Sequence, residues 1–174
     1  MGGTVRTELS TKVENTKKWL TFNSSSGKFS ILFPDDSIHV YNRTELDKHN
    51  KETIIHCAEW TLDKGFSANQ VYRIDYTFLS NVETEKQVDE FFSRQLKSLA
   101  EVGNVDYAHK KNSKYGDYID VLITLDTKKC HYRMYYYDGI YYKLTVISKP
   151  DFPLNAAVFK FLDSFKIHKI PASN

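Results

Sequence analysis

Residues 130–148 read CHYRMYYYDGIYYKLTVIS, and residues 152–165 read FPLNAAVFKFLDSF. In the first stretch Asp138-Gly139 separates two runs of Tyr, Ile, Leu and Val. Asp-Gly supplies the positive φ of a type I′ turn, so the spacing predicts a β-hairpin with a two-residue loop. The loop sets the register. Tyr137 opposes Ile140, and each step outward keeps the pairing. One face then carries His131, Arg133, Tyr135 and Tyr137 with Ile140, Tyr142, Leu144 and Val146. The other carries Cys130, Tyr132, Met134 and Tyr136 with Tyr141, Lys143, Thr145 and Ile147. Both faces are largely apolar or aromatic, so both are expected to be at least partly covered. Arg133 falls opposite Leu144 and needs a partner if it is buried. The second stretch predicts an amphipathic helix whose buried stripe is Leu154, Ala157, Val158, Phe161 and Phe165, opening at Asp151 and Pro153.

Upstream, the same alternation recurs. Phe29–Phe33 is a strand that Pro34 ends, and Ile38–Tyr41 is a short strand before a charged loop over 42–52. Thr53–Leu62 and Gln70–Leu79 both alternate and are joined by a loop containing Lys64-Gly65, which predicts an antiparallel hairpin. In the second of these, Tyr72, Ile74, Tyr76 and Phe78 share one face. Residues 84–102 form the clearest helix. Val88, Phe91, Phe92, Leu96 and Leu99 make one stripe, Thr84 and Gln87 fit a capping box, and Gly103 is the stop. The stripe is expected to pack on faces carrying Ile74, Tyr76, Ile119 and Val121. Asn104–Lys111 and Tyr118–Thr127 are two more strands; in the latter Ile119, Val121, Ile123 and Leu125 point in and Asp120 points out.

Strands, a helix, more strands and a closing helix give an α+β class with a mainly antiparallel β-sheet covered by helices, a three-layer α/β/α sandwich. The 174 residues hold one core. Residues 1–18 are polar and lack a period, and read as a flexible arm. A single domain spans 19–167, and 168–174 are a tail. A net charge of +2 with scattered lysines argues against a nucleic-acid partner. No run approaches the length of a transmembrane segment.

These residues resemble the PsbP-like family. The resemblance is carried by Trp19 with SSSGKFSILFP (Ser24 to Pro34), VYRIDYTFL (Val71 to Leu79), and YRMYYYDGIYYKLTV with the closing FKFLDSF. It covers roughly residues 19 to 167. The family includes a photosystem II extrinsic subunit, a Ran-binding nuclear-import factor and many bacterial envelope proteins. The resemblance implies a sheet sandwiched by helices. It brings no catalytic residue onto this chain.

Chemistry is sparse. His56-Cys57 and Cys130-His131 offer metal-ligating atoms, but neighbouring strand residues point to opposite faces, so no metal site is expected. The two cysteines are expected to be free, buried thiols. Nucleophile motifs and glycine-rich phosphate loops are missing, and no cofactor is expected. What remains is surface. Glu59, Arg73, Asp75 and Asp120 on outward strand faces, with Arg133, Tyr135, Tyr137 and Tyr142 of the hairpin, form the candidate contact surface. The function expected is a non-enzymatic binding or assembly module with a protein partner. The alternative is a small enzyme or small-ligand-binding protein with a pocket between helix and sheet. Two placements stay open: the cell envelope, as a periplasmic protein or lipoprotein with its signal sequence removed, or the cytoplasm.

Overall fold

The computed structural model describes residues 18–47, 49–62 and 67–169. Strand β1 (Leu20–Ser24) and β2 (Phe29–Phe33) form a hairpin, followed by β3 (Ile38–Leu46), β4 (Glu52–Thr61) and β5 (Asn69–Phe78). Helix α1 (Glu85–Val102) leads to β6 (Asn104–Ser113), β7 (Gly116–Leu125), β8 (Lys128–Tyr137) and β9 (Ile140–Ser148). Helix α2 (Ala156–Asp163) and the two-residue β10 (Lys166–Ile167) close the chain. The arm expected over 1–18 lies outside the described residues except for Lys18, as do 63–66 of the β4–β5 loop and 170–174 of the tail.

Two meanders build the large sheet, β3-β4-β5 and β6-β7-β8-β9. They join where β5 pairs β9, giving the order β3-β4-β5-β9-β8-β7-β6 with every neighbour antiparallel. The β8–β9 hairpin has the expected register, with Tyr137 opposite Ile140 and Arg133 opposite Leu144. Asp138 and Gly139 both take positive φ, 50° and 77°, as a type I′ turn requires.

Helix α1 must carry the chain from β5, in the middle of the sheet, to β6 at its far edge. It therefore crosses the second meander. Phe92 and Leu99 are buried there against Ile119, Val121, Ile123, Tyr132 and Met134. Ile74 and Tyr76, expected to share this contact, lie on the opposite face. The reason is strand parity: Arg73 and Asp75 take the α1 side of β5, so their neighbours cannot. The Thr84–Gln87 capping box forms as expected. Gly103 ends α1 in extended backbone, φ −157°, not in a left-handed turn. A Cβ there would meet the Thr124 carbonyl oxygen at 2.7 Å, so close approach to β7 is what requires glycine.

The other face is covered by α2 and by a three-stranded sheet ordered β1-β2-β10. Phe29, Phe33, Ile74, Tyr142, Leu144, Phe161 and Phe165 form its core. Burial of each such large side chain is worth about 1.5–3 kcal/mol. The Ser24–Gly27 turn caps the buried phenols: Ser26 Oγ is 2.6 Å from the Tyr76 hydroxyl, and the Tyr142 hydroxyl donates to the Gly27 carbonyl at 2.7 Å. Helix α2 begins later than Asp151 and Pro153 imply. Asn155 is its N-cap, accepting from the amides of Ala157 and Val158, and Leu154 is exposed. Asn155 also bonds the buried Asn69, which ties the helix to the start of β5. Strand β3 extends five residues beyond the predicted end at Tyr41, because pairing with β4 outweighs its polar composition. His168, assigned to the tail, donates its amide to the Lys28 carbonyl beside β2. The layers are thus α1, the seven-stranded sheet, then α2 with the small sheet.

Candidate functional site

Because α1 lies over the second meander, the same face above β3, β4 and β5 has less cover. A well of about 300 Å³ opens there, walled by Phe91 and Gln95 of α1 and floored by Arg43, Asp75, Tyr141 and Lys143. Strand pairing sets the floor: Asp75 is opposite Lys143 on β5 and β9, and Tyr141 is two residues along on the same face. The Phe91 ring stands edge-on to the Tyr141 ring at 4.8 Å. Leu46, Ile55 and Leu79 add apolar wall. The well shares Thr77, Leu79 and Phe91 with a wider depression of about 720 Å³ at the end of the sheet, where Ile54 and Phe78 are exposed.

The charges in the floor are only partly paired. Asp75 is 3% exposed. Its Oδ2 takes both guanidiniums, Arg73 at 3.3 Å and Arg43 at 3.4 Å, while its Oδ1 has no hydrogen-bond partner among the described residues. Tyr141, 7% exposed, leaves its hydroxyl equally unpartnered. Burial pushes that phenol above its ordinary range, with the Asp75 charge adding to the effect. Lys143 makes no ion pair among the described residues; its ammonium sits 4.9 Å from the Tyr132 ring centroid. Burial lowers its pKa, and the Asp75 charge opposes that shift. Arg43 bonds Glu45 at 3.0 Å and keeps its Nε free of partners.

A second charged cluster lies on the opposite face. Asp120 accepts from His131 Nε2 at 2.6 Å and Lys111 Nζ at 2.8 Å, and Arg133 Nε is 3.5 Å away. Arg133 also donates to Asp163 at 2.6 Å, which supplies the partner its burial requires. Burial would raise the Asp120 pKa, but the bonds from His131 and Lys111 outweigh it and hold the carboxyl well below its usual range. None of the cavities described opens onto this cluster.

The structure separates the eight residues expected to form one contact surface. Asp75 is buried on the α1 side and Asp120 on the other, so the two carboxylates share no patch. Tyr142, Tyr135 and Arg133 are buried beneath α2 and the small sheet. Tyr137, Glu59 and Arg73 keep partial exposure, and Glu59 and Arg73 pair with each other at 3.4 Å. Asp120 was expected to face out; its partners across the sheet explain why a carboxylate is tolerated inside. The residues missing from the sequence reading are Arg43 and Tyr141, together with Lys143 as a site residue. Parity placed Tyr141 and Lys143 on one face, but the neighbour strand that brings Asp75 opposite was not legible.

Cys57 and Cys130 are free and buried. Burial, then the neighbouring Asp75 carboxylate, pushes the Cys57 thiol up to about 12. Among the described residues no group of three or more His, Cys, Asp or Glu side chains is placed to hold a metal, and no helix is long and apolar enough to cross a membrane.

No family model matches the chain, and no curated protein matches it in sequence. A match comes from solved structures. The solution structure of cyanobacterial PsbP (CyanoP) from Synechocystis sp. PCC 6803 aligns over 90% of this chain and 96% of its own, with a TM-score of 0.53 and 7% sequence identity. At that identity the likeness is one of architecture. The antiparallel sheet, its two helical layers and this alignment agree: the chain has a PsbP-like fold.

Proposed function

We propose that this chain is a non-enzymatic binding module whose ligand enters the well between α1 and the β3–β5 side of the large sheet. The observation that carries this reading is the well itself, about 300 Å³ and walled by Phe91, Leu46 and Leu79, with Lys143 in its floor making no ion pair among the described residues and with the buried Asp75 Oδ1 and Tyr141 Oη unpartnered beneath. A buried polar atom left unsatisfied costs about 1–3 kcal/mol, and most such atoms in folded proteins are satisfied. Both atoms are closed to solvent, so a ligand recovers that cost where the floor side chains shift to meet it. The Cys57 thiol on the same face is held protonated, which makes it a poor nucleophile and favours binding over covalent chemistry. A protein segment is the second reading, favoured by Leu46, Ile54 and Phe78 standing exposed around the rim.

Titrating the isotope-labelled full chain with a small-molecule fragment mixture tests the proposal. Amide shifts should concentrate at Asp75, Phe91, Gln95, Tyr141 and Lys143. Shifts confined to the hairpin tip at Tyr137 and Asp138, or none at all, overturn it. Tyr141→Phe should melt at or above the wild-type temperature while weakening the fragment response.

A further inference from the structure

The seven-stranded sheet ends in two edge strands, and they are not alike. Strand β6 carries Lys110 and Lys111 and has a register shift between Val105 and Tyr107. Lysines and bulges keep an edge from pairing with another chain. Strand β3 has neither. It runs nine residues with no shift in its pairing to β4, contains no Lys, Pro or Gly, and exposes Val40 and Leu46, each at 62%. No described strand pairs with its outer side. Its sequence, IHVYNRTEL, is also self-complementary when laid antiparallel about Asn42. Asn42 then meets its own copy, Tyr41 meets Arg43, Val40 meets Thr44, His39 meets Glu45 and Ile38 meets Leu46. An exposed imidazole faces an exposed carboxylate, and a guanidinium faces a tyrosine ring. This is the register that pairs all nine residues. Sliding one copy by two residues sets Arg43 against itself in one direction and against His39 in the other. Each residue meets one of its own parity, so the outward amides of one copy face the outward carbonyls of the other. We propose that β3 is the contact between two copies of this chain, which join their sheets across a two-fold axis at Asn42. Such a contact uses the same surface twice and closes at the dimer. Arg43 and Glu45 also line the well, so the pairing sets the two wells beside one another at the axis.

Sedimentation equilibrium of the full chain over a concentration series tests this, and a monomer–dimer equilibrium is expected. His39→Glu sets carboxylates against each other twice per dimer and should weaken association about tenfold or more. Adding Glu45→Lys to that variant should restore the dimer. Within one copy, residues 39 and 45 are separated by about 20 Å of strand, and they are opposed only across the axis. Inside the chain His39 faces Glu59, where Glu45→Lys relieves nothing, so the restoration reads the contact between copies. In oxidising buffer Asn42→Cys should cross-link to its own copy, since directly opposed Cβ atoms lie about 4.5–5.5 Å apart. Thr44→Cys, opposite Val40, should not. Thermal melts of the variants separate a lost contact from a lost fold. A chain that stays monomeric at every concentration overturns the proposal. So does a dimer that His39→Glu leaves intact and Asn42→Cys does not cross-link. Species that keep growing beyond the dimer overturn it too, because they show head-to-tail pairing of β3 with β6.

Discussion

His131 Nε2 lies 2.6 Å from the Asp120 carboxylate, with both side chains buried in the face that α2 covers. That nitrogen faces an acceptor, so it carries the proton. The Tyr107 hydroxyl is 3.2 Å from the same nitrogen, and the Phe159 ring of α2 stands edge-on to the imidazole. The buried carboxylate of β7 thus gathers groups from both neighbouring strands, β6 and β8.

Asp120→Asn should therefore be costly. It preserves shape but strips the charge that faces His131, Lys111 and Arg133. The expected loss is on the order of 3 kcal/mol by urea denaturation near neutral pH. Its pH dependence has a definite sign. The folded pKa lies below the ordinary value of 3.8, so the stabilisation is full above that value and is lost as pH falls through the folded one. The gap between wild type and variant should narrow on acidification below that ordinary value. A gap that stays constant would show that the carboxylate charge is not what stabilises the site.

Phe92 is 3% exposed and anchors α1 on the second meander. Phe92→Ala should cost about 3–5 kcal/mol in chemical denaturation. A loss below about half a kcal/mol, the size of an ordinary surface change, would contradict the placement of α1.

Two glycines should respond to substitution for different reasons. Gly139 has open space around its Cβ position but a φ of 77°, so Gly139→Ala is strained by about 1–2 kcal/mol. Asn tolerates that conformation, and Gly139→Asn should restore much of the loss. Gly103 has an unstrained φ but a Cβ position 2.7 Å from a backbone oxygen, so Gly103→Ala and Gly103→Asn should both destabilise. Melting temperatures of the four variants check the contrast; rescue by Asn at Gly103 would refute the close-approach account.

Both thiols should resist alkylation in the native protein and react once it is unfolded. Cys57 is the more inert at neutral pH, with its pKa pushed up to about 12. Strands β5 and β9 stand between β4 and β8, which separates the two cysteines by roughly 14 Å across the sheet. A disulfide needs Cα atoms within about 7 Å. Intact-mass measurement without reductant should show two free thiols, and a Cys57–Cys130 bridge would contradict the strand order.

Local chemistry determined much of the fold. Asp138-Gly139 set a turn that only one register satisfies, and alternation then assigned every residue of the hairpin to its face. Thr84 and Gln87 marked the start of α1 because their bonds are made within one helical turn. The faces of single strands were legible for the same reason: side-chain direction alternates along a strand whatever lies beside it. Strand order was a different matter. That β5 pairs β9, and that α1 must consequently cross one meander and leave the other less covered, depends on contacts between residues some seventy positions apart. Only that pairing set Asp75 opposite Lys143 and next to Tyr141, and only the strand order put Asp120 and Asp75 on different faces of one sheet. Asp120 alternated with apolar neighbours and so read as exposed. Whether a carboxylate is solvated or buried is decided by whether His131 and Arg133 arrive from the adjoining strand, and a single strand's sequence carries no record of its neighbour.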